Sequence, residues 1–320
     1  MKIDNVDIEA VFGCVPSRKV DSLAELAPLV GAEKAESIVR ATGYPTRRVA
    51  RDGQDVFDLM LPAARRAIDG VEAHRIGGIV SVSFSGRDRF PALSARLQHA
   101  LGLGTDAIAC DLSMACSGWI YGLLSAAQLV RLTGKRILLV DGDVQSAWID
   151  GKDYATLAVM GDGATATLLA PGEGSWEFAF HTDGGGSDAL VCRDSIRMDG
   201  FGVFRFVAGP VRRFLASFIA QSEILAGHRP VFVPHQANMY MVRQLAEALG
   251  LGDSLAGSGE KYANTGSCSA SLALADWSAP ALGRLPESCG RVLFAGFGAG
   301  LSAGAAATTL GDIRKGMVEV

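Results

Sequence analysis

The sequence repeats itself at a distance of nearly half its length. The word ALGLG begins at Ala100 and again at Ala248, 148 residues further along a chain of 320. After each copy the same order follows: a strand pattern, a turn of small residues, a helix pattern and a strand that ends in glycine or an acid. A period of this length predicts that one supersecondary unit has been duplicated. We therefore expect two similar halves, residues 1–171 and 172–320, divided around Pro171–Ser175.

Within the first half, short apolar runs alternate with longer helical patterns. The predicted strands are Ile76–Phe84, Asp106–Leu112, Lys135–Asp143 and Ala164–Ala170, and the predicted helices are Pro91–Leu101 and Ser117–Thr133. Strands that alternate with helices are typical of layered α/β proteins with buried sheets. The fold class predicted from the pattern is therefore α/β.

Charge and cysteine usage narrow the function classes. The net charge is −4, so no general affinity for polyanions is expected, and nucleic acid is not an expected partner. The N-terminal residues lack the pattern of a signal peptide, and the apolar runs are shorter than a membrane span. Six scattered cysteines without a CxxC pair indicate free thiols in a cytoplasmic protein, and no metal-ligand motif appears. These cysteines are Cys14, Cys110, Cys116, Cys192, Cys268 and Cys289.

One of these cysteines, Cys116, lies where a small-residue turn meets the predicted start of a helix. In SMACSGW, Cys116 precedes an apolar helix pattern by one residue. A cysteine inside a helix is usually a small core residue. At the N-terminal end of a helix, the free amide groups and the helix dipole stabilise a thiolate and favour a nucleophilic thiol. The junction by itself leaves both interpretations open.

Two further turns carry polar side chains at corresponding places. The strand of VPHQAN ends at Pro234 and presents His235, and YANTGSCSA places Asn264 before another helix. Taken alone, each is most simply a structural histidine or a turn residue. Together with Cys116 they form a coherent set, because a cysteine can carry an acyl group as a thioester. A histidine and an asparagine can donate hydrogen bonds to a carbonyl oxygen that gains negative charge.

The same words resemble a known family. The thiolase-fold condensing enzymes, and above all the β-ketoacyl-acyl-carrier-protein synthase III family, have similar words in the same order along nearly the whole chain. The words are IVRATG, RFPA, ACSGW, GDGATA, VPHQAN, NTGSCSASLAL and GFGAGLSAG. The resemblance implies the thiolase fold, a duplicated five-layered α-β-α-β-α architecture that assembles as a homodimer.

The resemblance also implies roles for individual residues. Cys116 would be the acylated nucleophile, and His235 and Asn264 would stabilise the enolate that decarboxylation leaves. The backbone amides of Cys116 and Gly300 would form the oxyanion hole. The residues implied for the substrate tunnel are Phe90, which would reach over the dimer interface, and Met198, Gly200 and Phe204.

The implied reaction is a two-step acyl transfer. An acyl group passes from acyl-coenzyme A or an acyl carrier protein to Cys116, and a malonyl-type thioester then loses CO2 and attacks it. The product would be a β-ketoacyl thioester of fatty acid or specialised-metabolite synthesis, made without a metal or bound cofactor. Two alternatives stay open: an acyltransferase of the same fold that makes an ester or amide, and a non-catalytic partner subunit.

The sequence differs from the family at the positions that bind coenzyme A. Where the family has a tryptophan and three arginines, this sequence has Ser37, Ala41, Tyr154 and Tyr240. We therefore hypothesise that the acyl donor is a carrier protein, whose phosphopantetheine lacks the adenine nucleotide. Four nearby arginines are either a replacement phosphate site or an ordinary solvated basic face. They are Arg40, Arg47, Arg48 and Arg51.

Overall fold

The structure is a computed structural model that describes residues 1–277 and 290–320, so the prediction for Cys289 lies outside the described residues. The strands are β1 (Lys2–Val15), β2 (Lys19–Asp21), β3 (Thr46–Arg48), β4 (Ile76–Val82), β5 (Ile108–Leu112), β6 (Arg136–Asp143), β7 (Gly163–Thr182), β8 (Leu190–Cys192), β9 (Ile196–Met198), β10 (Val231–Pro234), β11 (Arg291–Gly298), β12 (Ser302–Thr309) and β13 (Arg314–Glu319). The helices are α1 (Ser22–Val30), α2 (Ala32–Thr42), α3 (Val56–Ala67), α4 (Leu93–Ala100), α5 (Gly118–Thr133), α6 (Tyr154–Leu157), α7 (Gly200–Phe206), α8 (Arg212–Gln221), α9 (Met239–Ala248), α10 (Gly259–Tyr262) and α11 (Ser269–Ala275).

The main sheet joins the two halves of the chain through one long strand. Its strand order is β10-β11-β12-β7-β6-β4-β5, and β1 pairs with β7 and β13. The first part of β7 pairs with β6, and its last part, from Trp176 to Thr182, pairs with β12. The strand predicted to end at Ala170 therefore continues to Thr182. The division of the chain at residue 171 stays a prediction, and β7 passes through that point without a break.

Alternation along the strands buries both faces of the sheet. On β4, Val80 packs toward the middle of the molecule, and Ile79 packs toward the outside of the first half. On β11, Phe294 faces the middle, and Leu293 faces the outside of the second half. A strand that is buried on both faces is apolar at most positions, which explains why these segments read as nearly continuous apolar runs.

Helices fill the three spaces that these faces define. Trp119 and Leu123 of α5 and Leu274 of α11 lie in the middle core, between the two halves of the sheet. Helices α3 and α4 cover the outside of the first half of the sheet, and their residues Leu59 and Leu97 are buried there. The outside of the second half is covered by α7, α8 and α9. The layers are thus α-β-α-β-α, which confirms the fold class that the resemblance implies.

Three observations concern the described residues as a set. In residues 1–277 and 290–320, no helix has both the length and the hydropathy that crossing a membrane requires. The five cysteines in this part of the chain are free thiols. Within the same residues, no three histidine, cysteine or acidic side chains come together as metal ligands.

The end of β6 places a buried carboxyl group under α11. Asp141 is fully buried, and the hydroxyl groups of Thr165 and Ser271 donate hydrogen bonds to it. Burial raises the pKa of Asp141 from 3.8 to about 8. Because the folded state then holds this proton more tightly than the unfolded state, the carboxyl group lowers stability as pH rises from about 4 to about 8.

We expect Asp141→Asn to flatten this pH dependence. Asparagine resembles the protonated acid and can keep both hydroxyl contacts, so the penalty above pH 4 disappears. Between pH 5 and 8 the wild type should lose on the order of 1–3 kcal/mol more unfolding free energy than the variant. Urea unfolding at a series of pH values measures the difference. Parallel pH profiles for the two proteins would contradict the assignment.

Candidate active site

Cys116 lies in a tight turn that the second half of the sheet touches directly. The turn, Ala115–Ser117, connects β5 to α5, and the cysteine is 8% exposed. A Cβ atom on Gly298 of β11 would lie 2.7 Å from the Cys116 Cβ and 3.1 Å from its Sγ. Only glycine therefore allows β11 to approach the thiol this closely. The GFGAG segment therefore packs directly against Cys116.

Burial and the end of helix α5 act in opposite directions on the Cys116 thiol. Burial raises the pKa of the thiol to about 12, with the Asp143 carboxylate acting in the same direction. The backbone amides of Cys116 and Ala299 act in the opposite direction and lower it. Loss of hydration disfavours a thiolate more than the partial charge of a helix end favours it. At Cys116 the effect of burial on the pKa is therefore larger than the effect of the helix end, and the nucleophile role of Cys116 stays a prediction.

The turn between β11 and β12 faces the sulfur. The Ala299 amide is the hairpin amide that lowers the Cys116 pKa, and it precedes the predicted oxyanion-hole residue, Gly300, by one position. Ser302 donates a hydrogen bond to the Ala299 carbonyl at 2.7 Å, and its hydroxyl lies 2.7 Å from that of Ser117. These contacts hold the hairpin against the nucleophile turn. The oxyanion-hole role of the Gly300 amide stays a prediction.

His235 follows β10 and is 2% exposed. Its backbone amide donates to the Ala295 carbonyl at 2.6 Å, which fixes the residue at the end of the sheet. Its Nδ1 lies 2.7 Å from the Ser269 hydroxyl oxygen, which also accepts the Gln236 amide at 3.1 Å. The Ser269 hydroxyl can donate its proton to Nδ1, and in that arrangement the neutral imidazole carries its own proton on Nε2.

Burial also sets the charge of His235. It lowers the pKa of the imidazole from 6.5 to about 4, and the backbone of Gly266 opposes the change in part. The ring of Phe297 packs against the imidazole at 5.4 Å with its plane nearly perpendicular. At neutral pH the ring is therefore uncharged. A neutral Nε2–H can donate a hydrogen bond while being a poor proton donor.

Asn264 is held by its backbone at the start of the third turn. Its amide donates to the Val159 carbonyl at 2.9 Å, and its carbonyl accepts the Gly161 amide at 2.8 Å. Its Oδ1 accepts the Gly266 amide at 3.0 Å. Nδ2 lies 3.5 Å from the carbonyl oxygen of Ala237 in the turn that follows His235. The side chain thus keeps an N–H for a substrate beside the histidine turn.

The fold brings the three turns together at the ends of the central helices. The turn Gly266–Cys268 packs on the nucleophile turn, and a Cβ on Gly118 would lie 3.5 Å from the Cβ of Ser267. Ser269, the first residue of α11, touches the ring of His235. Cys116, His235 and Asn264 are therefore neighbours in one buried region, as the sequence pattern suggests. Their chemical roles stay predictions.

The four predicted tunnel residues lie in different surroundings. Phe90 is 87% exposed just before α4. Met198, at the end of β9, packs against an apolar cluster that contains Tyr44, Val159, Met160, Ile196 and Met239. Gly200 begins α7, and Phe204 of the same helix packs with the outer helices of the second half. Met198 is thus next to the loop that holds Asn264, and the tunnel role of the four residues stays a prediction.

The predicted phosphate site is wrong for Arg47. Its side chain is 1% exposed and donates to the Met160 carbonyl and to the Glu25 carboxylate. Arg48 is held by Glu319 at 2.7 Å and by backbone carbonyls of the N-terminal segment. Arg40 and Arg51 are exposed. A contact to phosphate stays a prediction for Arg40 and Arg51, whereas Arg48 already serves a protein partner.

Two residues that sequence reasoning missed lie beneath the site. Asp143 accepts hydrogen bonds from Ser83, Phe84 and Ser85, and burial raises its pKa to about 6. Gln145 donates from its side chain to the carbonyl of Asn264 at 2.7 Å. Their signal in the sequence is the polar word DGDVQ at the end of an apolar strand.

A duplicated five-layered fold with a buried thiol, a neutral imidazole and an amide at one edge is the architecture of thiolase-fold condensing enzymes. The family profile described as 3-oxoacyl-[acyl-carrier-protein] synthase III matches residues 110–184, and the profile of its C-terminal domain matches residues 219–310. The chain belongs to the 3-oxoacyl-[acyl-carrier-protein] synthase III family.

Individual relatives agree over nearly the whole length. The β-ketoacyl-[acyl-carrier-protein] synthase III of Geobacillus kaustophilus is 32% identical over 86% of this chain and 90% of the relative. A 3-oxoacyl-(acyl-carrier protein) synthase from Burkholderia xenovorans superposes with a TM-score of 0.92 at 26% identity, over 100% and 98% of the two chains. The priming β-ketosynthase of the R1128 polyketide pathway superposes with a TM-score of 0.85 at 28% identity, over 97% of each chain.

Proposed function

We propose that this chain catalyses a decarboxylative condensation that starts from an acyl group on Cys116. The product is a β-ketoacyl thioester for fatty acid or specialised-metabolite synthesis. The observation that carries the proposal is the convergence of Cys116, His235 and Asn264 in one buried region of the thiolase fold.

The first half-reaction loads the nucleophile. The Cys116 sulfur bonds to the acyl carbon, the thioester bond of the donor breaks, and the thiol proton leaves with the donor thiol. The negative oxygen of the intermediate is held by the Cys116 amide and by an amide of the hairpin at Ala299 and Gly300. Burial raises the pKa of the Cys116 thiol and so disfavours a free thiolate before loading.

The second half-reaction makes the carbon–carbon bond. The thioester oxygen of the malonyl group accepts hydrogen bonds from His235 Nε2 and Asn264 Nδ2, the carboxylate leaves as CO2, and its electron pair forms an enolate. The enolate carbon then attacks the acyl carbon, and the Cys116 sulfur leaves as a thiolate that takes up a proton from water. A neutral imidazole suits this step, since a charged one would protonate the enolate. No metal or bound organic cofactor enters the proposed reaction.

We propose that an acyl carrier protein delivers the substrates. Of the residues that stand where the family grips coenzyme A, Tyr240 is 56% exposed, and the Tyr154 hydroxyl accepts a hydrogen bond from Lys34 at 3.1 Å. Arg47 has no free donor on the surface, because it is buried against Glu25. The positions where the family has arginines therefore offer no positive charge to a nucleotide phosphate. Coenzyme A and the carrier protein share the phosphopantetheine arm, and only coenzyme A carries the nucleotide.

We also propose a homodimer in the cytoplasm. Strand β5 lies at the edge of the main sheet and exposes Ile108, and the nearby Phe90 is 87% exposed. An open apolar edge strand is normally covered, and a second copy would cover it and receive Phe90. Light scattering should give about twice the chain mass of 33.4 kDa, and a single-chain mass would contradict the dimer.

A mass-spectrometric assay tests the function. The protein is incubated with matched acyl-coenzyme A and acyl-carrier-protein donors at equal concentration, and malonyl carrier protein is then added. We expect the carrier-protein donor to load the chain faster, followed by CO2 release and loss of the acyl mass. Faster loading from coenzyme A would contradict the donor proposal. An acyl mass that only an alcohol or amine removes would instead indicate an ester- or amide-forming acyltransferase, and no mass gain would favour a non-catalytic subunit.

A further inference from the structure

A buried glutamine lies under the turn that presents Asn264. Gln145 lies two residues beyond the last residue of β6 and is 2% exposed. Its Nε2 donates two hydrogen bonds, one to the Asn264 carbonyl at 2.7 Å and one to the Gly161 carbonyl at 2.8 Å. One side chain therefore links two separate backbone segments, 16 and 119 residues away along the chain.

The Gln145 side chain also packs beneath Gly266, in the turn that follows Asn264. Gly266 has a φ of 66°, and a Cβ there would lie 3.3 Å from the side-chain oxygen of Gln145 and 3.0 Å from Oδ2 of Asp143. The Gly266 amide in turn binds Oδ1 of Asn264 at 3.0 Å. Gln145 thus contacts the Asn264 backbone directly and supports the residue that orients its side chain.

We propose that Gln145 is a positioning residue for the decarboxylation half-reaction. By holding the backbone of Asn264 against Gly161, it fixes the direction in which Nδ2 donates to the malonyl thioester oxygen. This inference rests on the proposed function, in which Asn264 stabilises the enolate. Gln145 does not touch the reacting atoms in this assignment, and its effect passes entirely through Asn264.

The two half-reactions separate this role from a general role in folding. Loading of Cys116 uses the nucleophile turn and the hairpin at Ala299, and neither of these is a hydrogen-bond partner of the Gln145 side chain. Loss of the Gln145 donors should therefore slow decarboxylation and spare loading. A structural defect would slow both half-reactions together.

The chain contains a matched control. Gln98 of α4 is half-buried and also donates from its Nε2 to two backbone carbonyls, those of Leu103 at 2.5 Å and Gly104 at 3.2 Å. Gln145→Met and Gln98→Met remove the same donors and keep an unbranched side chain of similar length. The two variants thus lose the same side-chain donors at different places in the fold, and their rates of loading and of CO2 release can be compared.

The experiment measures both half-reactions in the wild type and the two variants. Acyl loading is followed by intact mass, and CO2 release from malonyl carrier protein is followed after loading. We expect Gln145→Met to slow CO2 release about 10- to 100-fold, because small misplacements of an orienting group cost rates of this order. Loading should stay within about 3-fold of the wild type, and Gln98→Met should leave both rates nearly unchanged.

The outcomes are distinct. Equal losses in the two half-reactions of Gln145→Met, or full CO2 release, would overturn the inference. If that variant does not fold, Gln145→Asn keeps the amide but is one methylene too short for both carbonyls, and the same selective loss of CO2 release is expected from it. Absence of CO2 release in the wild type would refute the proposed function instead.

Discussion

Cys116→Ala will gain no acyl mass from any thioester donor. The variant lacks the only atom that the proposed mechanism acylates, so loading and the overall condensation should fall by about 10⁴-fold or more. Alanine is smaller than cysteine and therefore does not crowd Gly298, which packs directly against this side chain. Intact-mass measurement after incubation with the donor that loads the wild type is the direct assay.

Cys14→Ala is the control for this result. Cys14 is also a buried thiol, and burial raises its pKa to about 12, as it does for Cys116. Cys14 lies on β1, and its side chain packs in the outer core of the first half. We expect normal loading in this variant. Acylation that persists in Cys116→Ala but disappears in Cys14→Ala would contradict the assignment of the nucleophile.

His235→Ala and Asn264→Ala should each slow CO2 release about 10²- to 10³-fold and leave acyl loading largely intact. Each removes one donor to the oxygen that becomes negative, and one such donor contributes about 2.7–4 kcal/mol in comparable sites. The double variant should lose less than the product of the two effects, because the donors act on one oxygen. Single-turnover assays that begin with the acylated protein measure the second half-reaction alone.

Asn238→Ala is a control on the same turn as His235. Its side chain caps α9 by accepting the Met241 amide at 2.8 Å. Loss of a cap costs about 1 kcal/mol of stability, so this variant should unfold more easily and release CO2 normally. If Asn238→Ala slowed CO2 release as much as Asn264→Ala, the effect of Asn264 would be one of folding.

Local patterns predicted most elements near the site. The predicted strand from Lys135 to Asp143 is observed as Arg136–Asp143, and the predicted helix from Ser117 to Thr133 is observed as Gly118–Thr133. These segments combine a strong period with clear end signals, such as Gly134 in the left-handed conformation after α5. Their ends were predictable because the deciding residues are adjacent in the sequence.

The continuous course of β7 was not predictable in the same way. Pro171, Gly172 and Gly174 read as a linker, because proline and glycine are disfavoured inside strands. In the structure Pro171 pairs with Val6 beside a register shift in β1. Irregular pairing with β1 therefore tolerates residues that would break a regular central strand, and the partner lies more than 160 residues away in sequence.

The arginines near Thr46 show the same limit. Arg47 and Arg48 are neighbours in a basic segment, yet one is buried and the other is half-buried. Their partners are Glu25 and Glu319. No local pattern distinguishes them, because an ion pair depends on which distant segments the fold brings together.

Local patterns predicted the α/β class, the duplicated fold and the three turns that lie together, since periodicity, turn residues and short words are properties of neighbouring residues. The pKa values of Cys116 and His235, and the hydrogen bonds beneath the Asn264 turn, depend on the packed structure. Burial raises the pKa of Cys116 and lowers that of His235, and Gln145 reaches Asn264 across 119 positions of the chain. Desolvation and long-range hydrogen bonds depend on the packed neighbours of a group, and packing exists only in the folded chain.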